Sequence, residues 1–374
     1  MATLPLPDET LRKSVEAFQR CGTIAAASRE LGISWDTLRN RLMRAEERNL
    51  TGEVSGKPLP IGERITGRST LYDEQNNRVL EWVKTARDKV TEDAVDAIRA
   101  AFDSYKGLVP RTPAPKATSA DLLTLYNIAD HHLGLYSWAD ETGADYDLTI
   151  GADILRSSMT QLVDMAPPSE TAVILNLGDF FHSDTNENRT LRSGHALDVD
   201  TRYAKVLQTG VDLLMECVQM ALAKHKRVVV RCLPGNHDDH SALALSVALA
   251  AAFKKEPRID VDTNPGRFWF HRHGKVMLAA THGDKTKLAD MPGIMAATRP
   301  DDWGATLYRH SFSGHIHHQS RVEKHGAICE TMPTLAAKDA YAASHGYSSN
   351  RSMIAISYHA EKGEFARSTV NVSL

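Results

Sequence analysis

The sequence predicts a layered α/β (α+β) domain preceded by a small helical module. Three observations predict it. From about Ser119 onward, short apolar runs alternate with helical segments. Five of those runs end in side chains able to bind a metal ion. Two Pro/Gly-rich stretches, 51–67 and 107–118, read as extended connectors that set this domain apart from what precedes it. The expected organisation is a helical module over 1–50, an adaptor over 51–118, and the large domain over 119–374.

Composition bounds the possibilities. The chain has 374 residues, which suits two or three modules. Hydrophobic residues make up 42% and charged residues 24%, enough to build a core and to argue against wholesale disorder. The net charge is −3, so the molecule as a whole is not a basic nucleic-acid binder, and such a role needs a local patch. Cys21, Cys217, Cys232 and Cys329 are scattered without a CxxC pair, which fits a reducing compartment. The N-terminus lacks the apolar stretch of a signal peptide. The longest apolar helix candidate, 242–253, is too short to span a bilayer. A cytoplasmic protein without membrane contact is expected.

In the first module, residues 9–20 have helical spacing, followed by 23–31, Gly32 and 34–48. Gly32 falls where a tight turn needs positive φ, and Ser34 is a good N-cap. Ile24, Ala27, Leu31, Ile33, Leu38 and Leu42 would share one apolar core. The stretch IAAASRELGISWDTLRNRL resembles the Fis-type helix-turn-helix family, over about one-eighth of the chain. The resemblance implies a recognition helix on which Trp35, Asp36, Arg39 and Asn40 face base edges while Arg41 and Arg44 reach phosphates. The competing reading is a helical bundle for oligomerisation, since Glu30, Asp36, Glu46 and Glu47 dilute the basic face. A homodimer fits either reading.

The adaptor opens with STLYDEQNNRVLEWVKT, where Asn76-Asn77 lies between two runs of strand character and suggests a β-hairpin. Helical spacing returns over 92–105.

In the large domain, LLTLYNIA runs into Asp130-His131-His132, and AVILNLG into Asp179. VVVRCLPG runs into Asn236-His237-Asp238, VMLAAT into His282, and HSFSG into His315-Ile316-His317. Ligand sites in α/β sheets lie at the carboxyl ends of strands, where these residues fall. A single Asp-x-His or His-x-His is more often a turn than a metal site. Five such endings, each behind an apolar run, are hard to obtain by accident.

Together the motifs DHH (130–132), GD (178–179), GNHD (235–238), TH (281–282) and GHIH (314–317) resemble the calcineurin-like metallophosphoesterase superfamily, across about half the chain. The resemblance implies a four-layer β-sandwich flanked by helices and two divalent ions, Mn²⁺ foremost, with Fe or Zn²⁺ as alternatives. It implies that Asp130, His132 and His317 hold one ion, that Asn236, His282 and His315 hold the second, and that Asp179 bridges them. Hydrolysis would follow attack by a metal-bridging hydroxide. His237 would protonate the leaving group, with Asp238 orienting its imidazole. His131 would point away from the metals, and His182, Asp184, Arg189, Arg192 and His240 are secondary candidates for the substrate cleft.

Fold and metals do not select the phosphoester. The helix-turn-helix points to nucleic acid, and the joined architecture resembles phage and prophage DNA-repair-exonuclease-like proteins, which implies a phage or prophage setting in a bacterial host cell and action on DNA. The SbcD-like nucleases share the ligand order but carry a large capping domain after GHxH, whereas only 57 residues follow His317 here, which argues against double-strand-break processing and leaves room for a smaller nuclease. The alternatives are a cyclic nucleotide or dinucleotide phosphodiesterase, and a DNA-binding regulator with a non-catalytic phosphoesterase domain.

Overall fold

The computed structural model describes residues 7–21, 23–47, 63–72, 78–87, 109, 111–190 and 194–372. The chain divides into two units, Met1–Arg87 and Asp88–Leu374. The helical spacing over 92–105 and the residues Asn76, Asn77 and Arg192 lie outside the described residues.

The first unit has three helices, α1 (Asp8–Cys21), α2 (Ile24–Glu30) and α3 (Trp35–Glu47). Thr23 caps α2 by accepting the Ala26 N–H at 3.2 Å, and Ser34 accepts the Thr37 N–H at 3.1 Å at the start of α3. Gly32 turns the chain between them with φ +64°. Ala17, Ala27 and Leu38 are fully buried, with Ile24, Leu31, Ile33 and Leu42 packed around them, as the apolar spacing predicts. Two antiparallel strands follow, β1 (Glu63–Tyr72) and β2 (Arg78–Arg87). β1 begins inside the stretch expected to be a connector. The run from Glu63 to Ile65 pairs with Thr85 to Arg87, and a register shift between Ile65 and Gly67 passes over Thr66 while Gly67 pairs with Lys84.

The second unit is a four-layer α/β structure. Its elements run β3 (Ser119–Ile128), α4 (Ala139–Thr142), α5 (Leu148–Met165), β4 (Ser169–Asn176), α6 (Tyr203–Lys224) and β5 (Arg227–Cys232). They continue through α7 (Ser241–Ala252), β6 (Ile259–Asp262), β7 (Trp269–His273), β8 (Val276–Ala280), α8 (Met291–Thr298) and α9 (Pro300–Ala305). The last are β9 (Tyr308–Ser313), β10 (Ser320–Lys324), β11 (Ala327–Thr331), α10 (Ala340–Ser344), β12 (Ser352–His359) and β13 (Gly363–Asn371).

One sheet has the order β13-β12-β3-β4-β5-β6, the other β10-β11-β9-β8-β7. The central strands β3 to β6 are parallel, as are β8, β9 and β11. Parallel strands are covered on both faces and so read as continuous apolar runs, which is why the sequence shows them clearly. Leu123, Leu125, Val173 and Leu175 of the first sheet meet Leu278, Ala280 and Phe312 of the second in an inter-sheet core. On the outer face of the six-stranded sheet, Tyr126, Ile174 and Val230 pack under Leu155 of α5, Leu214 of α6 and Leu249 of α7. Met277 and Ala279 face Met291 and Met295 on the far side of the other sheet. Buried apolar area of this kind contributes about 25 cal/mol per Å², and it is what holds the layers together.

The longest apolar helix differs from the expectation. It is α6, 22 residues long and apolar enough to cross a membrane by length and composition. Its polar residues, among them Asp212 and Glu216, break up the apolar run that a linear scan detects, whereas Val211, Leu214, Val218 and Leu222 are buried in the core.

Candidate metal centre

Each motif sits just past the end of a parallel strand. Asp130 and His132 follow β3, Asp179 follows β4, Asn236 and His237 follow β5, His282 follows β8, and His315 and His317 follow β9. The donor atoms of Asp130, His132 and His317 lie within 4.8 Å of one another, and so do those of Asp179, His282 and His315. Asn236 joins the second group, with its Oδ1 3.1 Å from His282 Nε2. Each group draws ligands from both sheets.

The backbone bends sharply to achieve this. Seven non-glycine residues among those described have positive φ, and five of them are Asp130, His132, Asp179, His315 and His317. Such conformations cost roughly 1–3 kcal/mol each and persist where the surroundings enforce them, most often at functional sites. The glycines of the motifs permit close approach. A Cβ at Gly178 would stand 2.7 Å from His282 Nδ1, and one at Gly314 would stand 2.6 Å from Asp130 Oδ2.

The buried carboxylates and imidazoles of the site shift one another. Asp130 and Asp179 are buried. Burial pushes the Asp130 carboxyl up, against the pull of His317 and His282. Asp179 lies well below the usual carboxylate range despite its burial, because His282 and His237 face it. His282 is likewise held up at about 10 against its burial by the Asp179 carboxylate 3.2 Å away. Burial drives the His132 imidazole well below its ordinary value, reinforced by the rings of His237 and His317. Its Nε2 meets His317 Nε2 at 3.2 Å, so at most one proton lies between two ring nitrogens. A shared cation satisfies such facing lone pairs. Carboxylate, imidazole and amide oxygen donors without thiolate fit Mn²⁺, Fe or Zn²⁺.

One expected role is corrected. Asp238 does not orient the His237 imidazole. Its buried carboxylate accepts the N–H groups of Gly235, Asp179, Phe180 and Phe181 at 2.8–3.3 Å, tying the β4 loop to the β5 loop. Burial, with Asp179 and Asp184 nearby, raises its carboxyl to about 7. The His237 ring is held instead by the His182 carbonyl, which accepts from Nδ1 at 2.8 Å. His131 points away from the ligands and packs on Phe180, with ring centroids 5.3 Å apart.

The structure adds His182 to the group. Its Nδ1 lies 3.2 Å from His132 Nδ1, and with His132 and His237 it forms a third cluster of metal-capable nitrogens. The only signal in the sequence is its place three residues after Asp179. Asp184 turns away from the site to cap α7, accepting the His240 and Ser241 N–H groups at 2.9 and 2.8 Å. Arg189 is exposed, with its guanidinium on the Gly194 carbonyl.

In the other unit, Trp35, Asp36, Arg39, Asn40 and Arg44 are exposed on α3, with the Arg39 guanidinium 5.7 Å over the Trp35 ring. Arg41 is half-buried and its Nε is enclosed without a partner, so it does not project freely as expected.

No protein-family model matches the chain, and no curated protein matches it. Among solved structures, a conserved protein of Streptococcus pneumoniae described as a predicted phosphoesterase is similar at 10% identity, over 68% of this chain and 100% of that one, with a TM-score of 0.27. Vps29 of Chaetomium thermophilum is similar at 12% identity, over 67% of this chain and 98% of that one, with a TM-score of 0.30. Phosphopantetheinyl hydrolase of Mycobacterium tuberculosis is similar at 10% identity, over 58% of this chain and 91% of that one, with a TM-score of 0.25.

Proposed function

We propose that the protein is a metal-dependent phosphodiesterase that cleaves nucleic acid, DNA foremost. Asp130, His132 and His317 would hold one divalent ion, and Asn236, His282 and His315 a second, with Asp179 between them. The observation that carries this reading is the convergence of these side chains from five loops on two sheets, with five of them at positive φ angles of the kind that concentrate at functional sites. Divalent ions so held would polarise a phosphoryl oxygen and supply a nucleophile from water at neutral pH.

The protein's own groups do the rest. The His237 ring stands at right angles to that of His132, with centroids 4.7 Å apart, and is half-buried at the edge of the cluster. With Nδ1 directed at the His182 carbonyl, Nε2 is left to exchange a proton with the leaving oxygen. Asp238 fixes the spacing of the Asp179 and His237 loops. The exposed Trp35, Arg39, Asn40 and Arg44 of α3 support nucleic acid as the substrate class, through phosphate contacts and base contacts.

Purified protein with Mn²⁺ is to be given a bis-aryl phosphodiester, an aryl phosphomonoester, DNA, RNA and cyclic dinucleotides. Diesters should be cleaved faster than monoesters, and Asp179→Ala and His237→Ala should each lower kcat at least ~100-fold. Hydrolysis of cyclic dinucleotides with DNA untouched would replace the nuclease reading with the small-molecule one. Turnover that survives Asp179→Ala would remove the metal centre from the reaction.

A further inference from the structure

Four exposed rings stand in a row on the second unit: His195, Tyr341, His345 and Tyr347. Their centroids are spaced 6.0, 4.2 and 5.6 Å in that order, and the Tyr341 and Tyr347 side chains are 55% and 59% exposed. Contiguous aromatic surface left in water marks a place where something binds.

The row is built onto the metal centre. Thr334 Oγ1 donates to the Asp130 carbonyl at 2.7 Å, and Ser137 Oγ donates to the Lys338 carbonyl at 2.6 Å. These bonds fix the segment that leads into α10, which carries Tyr341. On the other side, the Tyr136 N–H donates to the Asp198 carbonyl at 2.9 Å, holding the strip that carries His195 against the loop of Asp130 and His132. Leu135, Tyr146, Ala336 and Ala337 form a small buried core beneath. Tyr136 and Trp138, on that same loop, are 48% and 53% exposed. Cations flank the row: Lys338 is exposed, and the Arg189 guanidinium lies on the Gly194 carbonyl next to His195.

Exposed aromatic rings flanked by cations suit one chemistry, that of a strand whose bases are unpaired. Bases stack on rings whatever their identity, while the phosphates that link them meet the cations. A duplex hides its base faces and cannot use such a surface. We infer that this row is a stacking platform that holds unpaired nucleotides of the substrate next to the metal centre. The inference rests on the phosphodiesterase reading and adds that the strand is single at the point of contact.

The test is equilibrium binding of a labelled oligothymidylate, and of a duplex of the same length, to the full chain in EDTA. Tyr341→Ala and Tyr347→Ala should each weaken oligothymidylate binding ~10-fold and leave duplex binding alone, while Tyr341→Phe keeps the affinity. Circular dichroism of each variant checks that α10 and the fold persist. Oligothymidylate affinity unchanged in both alanine variants, or an equal loss for the duplex, would overturn the platform. Hydrolysis of the bis-aryl phosphodiester by the unaltered chain is followed separately. If that hydrolysis is absent while the alanine variants still lose single-strand affinity, the platform stands and the catalytic reading falls.

Discussion

A methyl group on Gly235 would come within 2.5 Å of the Asp179 backbone nitrogen, a contact that side-chain rotation cannot relieve. That nitrogen also donates to Asp238, so the whole β4 loop is committed to its place. Gly235→Ala should therefore displace Asp179 from its partners. We expect a loss of about 1–3 kcal/mol of stability and at least a ~10-fold loss of Mn²⁺ affinity, read by thermal melting and calorimetric titration. A melting point and a metal affinity that both stay put would mean the loops are not interlocked here. At this scale the sequence was informative about ligands and poor about their supports. Asp130, His132, Asp179, His282, His315 and His317 were legible because each follows an apolar strand. The partner of His237 was not, because the His182 carbonyl that holds it lies 55 residues earlier in the chain. Asp238 was misread for the same reason: its neighbour in sequence is an imidazole, but its neighbours in space are four N–H groups.

β11 ties the two sheets together through one buried carboxylate. Glu330 receives His310 of β9 at 3.0 Å, and Arg367 of β13, in the other sheet, at 2.8 and 2.9 Å. Burial works against this charge, but the donors from His310, Arg367 and Gln319 pull the carboxyl down to about 2. Its pKa is thus lower in the folded chain than the ordinary value of 4.5. The stability it contributes is present above pH 4.5 and lost as pH falls towards 2. The shift corresponds to at most roughly 3 kcal/mol. Glu330→Gln should be less stable at neutral pH and should lose less on acidification, as measured by urea unfolding between pH 6 and pH 3. Parallel slopes for the two proteins would show that the carboxylate does not carry the effect. The run HSFSG made β9 of this network readable from the sequence. The network was not, because Glu330, His310 and Arg367 belong to three strands whose order in the sheets no local pattern records.

For the molecule as a whole, the layered α/β class was foreseen, and the chain divides into a unit of helices with a two-stranded sheet and a layered α/β unit. The boundary falls between the two that the connectors suggested, because the strands of the hairpin pair with each other across residues 63–87. The most consequential global feature is that two of the three candidate clusters draw on both sheets. Asp130 and His132 hang from the six-stranded sheet and His317 from the other, while Asp179 is divided in the same way from His282 and His315. A cation bound there is a cross-brace, and thermodynamic linkage makes the brace reciprocal: what loosens the joint loosens the ion. Phe312, buried between the sheets just before the turn to His315, lies in that joint. Phe312→Ala should cost about 3–5 kcal/mol and also weaken Mn²⁺ binding, although Phe312 is not one of the ligands. Equilibrium dialysis at a temperature where the variant is still folded would read this, and unaltered affinity would uncouple brace from joint. An ion bound there would serve as a strain gauge for the sandwich: its affinity would register how well two sheets fit, at a distance from any atom it touches.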